Sequence, residues 1–279
     1  MTMISRRSLL RFAAQTPLAF TALGQAACAP VRSGARAAQL TVLVSGAFEQ
    51  AFRKLAPEYE RRSGMRIVTV QGPSMGETPG AIPNRIDRRE PADVVILARE
   101  SLDRLAVAGK LVPGSGCDLV LSKIAVAVKE GAPIPDISTP SALRAALLAA
   151  RSIAYSDSAS GVYVSTVLFP RLGISGAMAG KARMIPGTPV GLIVARGEAD
   201  IGFQQLSELK PVAGINIVGL LPDELQKVTR FSAGIVAYSA YPGEGQKLID
   251  FLRSDAAHRT MIECGLIPAP PVAAAHPIR

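Results

Sequence analysis

The chain has 279 residues, 48% of them hydrophobic and 19% charged, and a formal net charge of +9 at pH 7. Residues 1–37 hold Arg6, Arg7, Arg11, Arg32 and Arg36 and no acid, so the rest carries 26 basic against 22 acidic side chains, only +4. Neither a strong basic stripe nor paired aromatic platforms survive, which excludes a nucleic-acid binder, and Cys117 and Cys264 with two scattered histidines form no closely spaced zinc set.

At the N-terminus, Ser5-Arg6-Arg7-Ser8-Leu9-Leu10-Arg11 precedes an apolar stretch from Phe12 to Ala29, the charge-then-apolar order of an export signal. The arginine pair resembles the twin-arginine signal, with an ordinary secretory signal as the alternative. Gln15, Pro17 and Gln25 interrupt the stretch, so it reads as a cleaved address, residues 1–37, and the periplasm as the destination. Ala27-Cys28-Ala29 and Ala35-Arg36-Ala37 both suit a signal peptidase. Lipidation at Cys28 stays open, although Gln25 stands where a lipoprotein signal carries an aliphatic residue. The mature chain is expected to begin near Ala38, long enough for one large domain or two linked lobes.

Leu40 to Val44 reads as a strand, Ser45-Gly46 as a turn, and Phe48, Phe52, Leu55 and Tyr59 as one helical face, interrupted by Pro57. Gly64 stops that helix and Met65 to Val70 is the next strand, a βαβ unit that points to a parallel sheet. Ala92 to Leu97 reads as a buried strand, followed by a helix from Ser101 to Ala108 that ends at Gly109. Further strands are expected at Ile124 to Val128, Ile153 to Tyr155, Ile201 to Phe203, Ile215 to Val218 and Ala233 to Tyr238. Gly245 to Arg253 is the last clear helix, and Pro268, Pro270 and Pro271 open an irregular tail.

Several strands run into small or hydroxyl residues that open a helix: Ser45-Gly46-Ala47, Gly72-Pro73-Ser74, Ser158-Ala159-Ser160-Gly161 and Gly187-Thr188-Pro189-Val190. Helix starts expose unpaired N–H groups and carry partial positive charge, so such loops at the carboxyl edges of a sheet suit a small anion. Each loop taken singly is also an ordinary helix cap.

Three segments carry a family resemblance: Pro91 to Ala98 with Leu102-Asp103-Arg104-Leu105; Gly197-Glu198-Ala199-Asp200-Ile201-Gly202-Phe203; and Leu248 to Ser254. With them nearly the whole mature chain looks like the periplasmic molybdate-binding family of bacterial importers, within the type II solute-binding proteins. The resemblance implies an α/β fold of two lobes, each a mainly parallel sheet flanked by helices, with the ligand in the cleft between them. Lobe I is then 38–121 plus 230–279 and lobe II 122–229, joined by extended runs at Ile124 to Val128 and Ala233 to Tyr238.

The family's first-loop serine falls on Ala47, with Ser45 two residues earlier, and its second serine on Ser74. Its lobe-two contacts fall on Ser160 or Gly161 and on Val190, through backbone amides, and its tyrosine falls on Gln205. The expected binding set is therefore Ser45, Gly46, Ala47, Ser74, Ser160, Gly161, Val190 and Gln205. With one hydroxyl and the phenol absent, a molybdate-like oxyanion and a small organic di- or tricarboxylate both stay open, the latter suited by Gln204 and Gln205 and by Arg85.

The resemblance further implies a monomer that passes its anion to the membrane permease of an ABC importer, with no cofactor, no metal and no chemistry on the ligand. Pairing of Cys117 with Cys264 is left open. The rival reading is a serine hydrolase, because Gly72-Pro73-Ser74-Met75-Gly76 matches a nucleophile elbow, with Asp200, His258 and His276 downstream. Pro73 and the want of a Gly-rich oxyanion loop upstream count against it.

Overall fold

The structure, a computed structural model, describes residues 39–270. The export signal of residues 1–37, Cys28 with its neighbouring cleavage motifs, and His276 lie outside the described residues.

β1 (Gln39–Val44), α1 (Gly46–Ser63) and β2 (Arg66–Gln71) make the expected βαβ unit, with the two strands parallel. On α1 the buried residues Phe48, Phe52, Leu55 and Tyr59 recur at three- and four-residue spacing, the stripe that a helix lays on a sheet. The helix continues unbroken through Pro57 to Ser63. The proline forfeits one intrahelical hydrogen bond, and each buried aromatic or leucine on either side of it offers roughly 1.5–3 kcal/mol of transfer free energy. α2 (Ile82–Asp87), β3 (Val94–Ala98) and α3 (Arg99–Val107) follow, with β3 buried along its whole length and parallel to β1.

β4 (Cys117–Lys129) decides the architecture. Its residues Cys117 to Lys123 pair antiparallel with β9 (Val228–Ile235), whereas Ile124 to Ala127 pair with β7 (Ile201–Gln205) and Ala125 to Lys129 with β8 (Ile215–Leu220). One long strand thus leaves one half of the sheet and enters the other. The first half has the order β2-β1-β3-β9-β4, and the second runs β4-β7-β5-β6 through β5 (Ile153–Ser156) and β6 (Ala182–Ile185). Ile124 to Val128, one run expected to link the lobes, pairs with β7 and β8 in the second half. Of Ala233 to Tyr238, the other expected link, Ala233 to Ile235 pair with β3 in the first. The passage between halves falls just outside both runs, near Lys123 and Val228, where β4 and β9 still pair with each other.

Each half has its own apolar clusters on both faces. Phe48, Phe52, Val120 and Phe231 fill one face of the first, and Leu43, Ile82, Val95 and Leu102 the other. Ile124, Val126, Leu143 and Phe203 fill one face of the second, with Ala154, Val190 and Val194 opposite. Sheets covered on both faces are built from continuous apolar runs, which is why these strands were legible. The result is the expected two-lobed α/β fold.

The second half also holds α4 (Pro140–Ala149), α5 (Ala159–Tyr163), a π-helical turn (Val164–Leu168), α6 (Phe169–Arg171), α7 (Ser175–Met178), α8 (Val190–Ala195) and α9 (Leu206–Leu209). A short 3-10 turn, Asp223–Leu225, precedes β9, and α10 (Pro242–Leu252) follows it. Past α10 the chain makes one more helix, α11 (Asp255–Glu263), before the prolines at which an irregular tail was expected. Ser254 Oγ accepts from the Ala257 N–H at its start, and Ala257 and Met261 anchor it in the core. A two-residue strand, β10 (Ile267–Pro268), then pairs with β4. Cys117 and Cys264 are free thiols, so no bond joins them. Among the described residues, no helix is long and apolar enough to cross a membrane.

Candidate functional site

A cavity of about 250 Å³ opens where β1, β2, β5, β6 and β7 end. Gly46 and Ala47 reach it from the start of α1, Gln71 to Pro73 from the end of β2, and Ser156 to Ser160 from the turn into α5. Gly187 to Pro189 contribute from the turn into α8, Gln204 and Gln205 from the end of β7, and Glu208 from α9. Ligands of open α/β sheets sit at these carboxyl ends.

Of the expected binding residues, Gly46, Ala47, Ser160 and Gln205 line the cavity. Ser160 Oγ lies 3.0 Å from Ser156 Oγ, so the two hydroxyls form a pair in the wall. Gln205 donates from Nε2 to Thr229 Oγ1 at 3.2 Å, while its Oε1 is buried without a partner, an acceptor that calls for a donor from the cavity or a water.

The other four lie outside the lining. Ser45 precedes α1 with its N–H committed to Ile96 O at 2.8 Å, and its buried Oγ makes no cap. Ser74 is fully buried and its Oγ accepts from the Ala98 N–H at 3.0 Å, which satisfies backbone at the start of α3. Its N–H donates to Ser158 Oγ at 3.3 Å and so ties the loop after β2 to the loop after β5. Gly161 is a packing residue: a Cβ there would stand 1.6 Å from Ser156 O. Val190 is wholly buried beside Ala154 and Val194. Arg85 does not line the cavity either. Its Nε donates to Gly80 O and its Nη1 to Glu90 Oε2, which braces the loop after β2.

Among the described residues the hydrolase constellation does not assemble. Asp200 is held by Arg151 and by the Ser152 hydroxyl, His258 stands 3.8 Å from Asp255, and Ser74 spends its hydroxyl on Ala98.

Two acids that the sequence reading passed over face the cavity, Glu208 and Asp157. Glu208 Oε1 accepts from Gln204 Nε2 at 3.0 Å and lies over the first residue of α1, where a Cβ on Gly46 would meet it at 2.2 Å. Burial pushes its carboxyl up to about 7, the Gln204 amide offsets part of that rise, and Asp157 and Glu49 add to it. Asp157 is buried, its Oδ2 accepts from the Gly187 N–H at 3.1 Å, and burial raises its pKa as well. One signal for Glu208 was present, since it stands three residues past the apolar strand that ends in Gln204-Gln205. Among the described residues, no lysine, arginine or histidine lines the cavity. No group of three or more His, Cys, Asp or Glu able to hold a metal occurs among them. A half-buried carboxyl poised near neutral pH, beside neutral donors, is equipped to take a proton from a bound molecule and return it.

The chain is 48% identical over 244 residues to the aconitate isomerase of Pseudomonas sp, an alignment covering 88% of this chain and 93% of that relative. It is 24% identical to the molybdate-binding protein ModA of Azotobacter vinelandii, over 84% of this chain and 90% of the relative. The solved periplasmic molybdate-binding protein of Azotobacter vinelandii superposes with a TM-score of 0.63 at 21% identity, covering 83% of this chain and 99% of that one. The expectation of a binder that does no chemistry is overturned by the first of these, because the relative that shares nearly half its residues with this chain is an enzyme. Residues 40–266 match the family model described as bacterial extracellular solute-binding protein, and the chain belongs to that family.

Proposed function

We propose that this protein isomerises aconitate, or a closely similar unsaturated tricarboxylate, in the cavity between its lobes, with Glu208 carrying the proton. The observation that carries the reading is the Glu208 carboxyl, enclosed at the cavity wall and held at about 7. Identity with an aconitate isomerase supports the substrate.

The chemistry suits one carboxyl. Aconitate has a carboxylate-bearing CH₂ next to its double bond. Glu208 as carboxylate removes one proton from that carbon, and the electron pair spreads over the three-carbon unit and its carboxylates. Return of the proton to the far end of the unit moves the double bond by one position. Rotation of the intermediate before that return exchanges the cis and trans forms, and no atom is gained or lost. N–H groups at Gly46 and Ala47 and the hydroxyl of Ser160 are placed to hold substrate carboxylates, whose charge grows in the intermediate. The Gln204 amide holds the Glu208 carboxyl in one orientation.

On this reading the lobes are 38–121 with 230–279, and 122–229, and they close over substrate by bending where β4 and β9 pass between them. Family membership supports an extracytoplasmic site of action, and with it the periplasmic destination read from the arginine pair and a membrane permease as partner. A molybdate-like oxyanion is the second reading, supported by the resemblance to ModA.

The test is proton NMR of the purified protein with cis- or trans-aconitate. Interconversion from both sides is expected, with deuterium entering the CH₂ in heavy water. If neither isomer is converted, the proposal is wrong.

A further inference from the structure

Glu208 sits on a helix of four residues, and a single turn keeps its shape only through what packs around it. One side of α9 is fixed by Leu209, fully buried, which with Leu206 packs on Ala125 and Ala127 of β4. Another side meets the turn that ends α11. A Cβ on Gly265 would stand 2.8 Å from Lys210 Cδ and 3.2 Å from Leu206 Cγ, so this turn lies directly against both side chains. Lys210 Nζ donates to Glu263 O at 2.8 Å, one of the last carbonyls of α11, which have no N–H partner within the helix.

The spacing separates two tasks on one short helix. Leu206 and Lys210 stand four residues apart and share a face, whereas Glu208, two residues from each, lies over Gly46 at the start of α1. The turn beneath them has a fixed form. Gly265 has a φ of 84°, in the left-handed region, its N–H donates to Ile262 O at 2.9 Å, and the Leu266 N–H donates to Met261 O at 3.0 Å. Ile267 then pairs with Leu121 of β4. β4 thus anchors both the helix that bears the acid and the turn on which that helix rests.

We infer that the turn at Gly265 is the seat of α9, and that Gly265 and Lys210 are positioning residues that hold the Glu208 carboxyl over the start of α1. Neither lines the cavity. This deepens the isomerase reading and rests on it for the role of Glu208, while the placement of the carboxyl is measurable without turnover. The charged groups that face Glu208 are Glu49 on α1, itself paired with Arg53, and Asp157 from the turn after β5; Lys210 is turned away toward α11. Burial is the first cause of the raised Glu208 pKa, so a carboxyl that slips outward regains solvent and titrates lower.

The experiment is carbon-13 NMR of the full protein labelled at its glutamate side-chain carboxyls, titrated over roughly pH 4 to 9, beside isomerase kinetics on the same samples. The Glu208 signal is assigned by its loss in Glu208→Gln. Gly265→Ala places a methyl group against Lys210 and Leu206 and changes no charge. Lys210→Met keeps most of the packing and removes the N–H donors, and Lys210→Arg keeps donors. In the parent Glu208 should titrate at about 7. In Gly265→Ala and Lys210→Met the midpoint should fall by about half a pH unit or more, and kcat by about tenfold or more with the Kd for trans-aconitate within a few-fold, and Lys210→Arg should restore both quantities. A midpoint that stays at the parent value in both variants overturns the inference, whether or not kcat falls, because a general loss of stability lowers activity without moving it. A parent that converts neither isomer overturns the isomerase reading, and the midpoints then still decide whether the turn seats Glu208.

Discussion

A Cβ on Gly46 would stand 2.2 Å from Oε1 of Glu208, so the first residue of α1 and the acid on α9 share one space at the cavity wall. The glycine is required here by that close approach. The carboxyl is brought against the start of a long helix whose first residues also line the cavity.

Gly46→Ala should therefore push the Glu208 carboxyl out of place. We expect kcat for aconitate isomerisation to fall about 100-fold, the scale of a displacement of about 1 Å in a catalytic group. Steady-state kinetics checks this, with circular dichroism to show that the fold persists.

Glu208→Gln keeps the hydrogen-bonding shape and removes the base. Turnover should fall by at least about 100-fold, while trans-aconitate still binds. The same variant should be more stable than the parent above neutral pH. The folded-state pKa of about 7 lies above the ordinary 4.5, so the folded protein holds this proton more tightly than the unfolded chain. Stability from this group is full below about pH 4.5 and is lost as pH rises to about 7, at a cost of up to about 3 kcal/mol. Thermal melts at pH 5 and pH 8 should show near-equal midpoints at the lower pH and a higher midpoint for the variant at the higher one.

The pH dependence of turnover follows from the same carboxyl with the opposite sense. Proton removal needs the carboxylate, so kcat/KM, which reports the free protein, should rise with pH through about 7 and then level. A profile that is flat from pH 5 to 9 would show that another group is the base.

Ser74→Ala separates the structural role of this serine from a nucleophilic one. Its Oγ satisfies the buried Ala98 N–H, so the change should cost about 1–3 kcal/mol of stability and leave kcat within a few-fold. Denaturant unfolding and the isomerase assay report the two quantities. A fluorophosphonate probe should leave Ser74 unlabelled.

Gly161→Ala tests packing at the α5 start. A methyl group 1.6 Å from Ser156 O forces the helix off β5, so a loss of about 1–3 kcal/mol or more is expected, read from denaturant midpoints.

What could be read from the sequence were features set by neighbours along the chain. β1, β3 and β7 appeared as apolar runs because both faces of their sheets are covered, and α1 as a stripe at helical spacing that outlasts Pro57. The places of Gly46, Ala47 and Ser160 at the cavity were legible because turn chemistry at a strand's end is local, whereas Gln205 was marked only by the family resemblance. The tertiary structure decided the rest. Whether a loop serine faces the cavity or a neighbouring backbone is fixed by what packs against it, which is why Ser45 and Ser74 are buried, and why Gly161 and Val190 pack against β5. Glu208 and Asp157 lie far apart in the chain, and only the folding of α9 and the β5 turn around one cavity brings them together. Their altered acidity comes from lost solvent, joined for Glu208 by the charges of Asp157 and Glu49, and neither exists until the chain is folded.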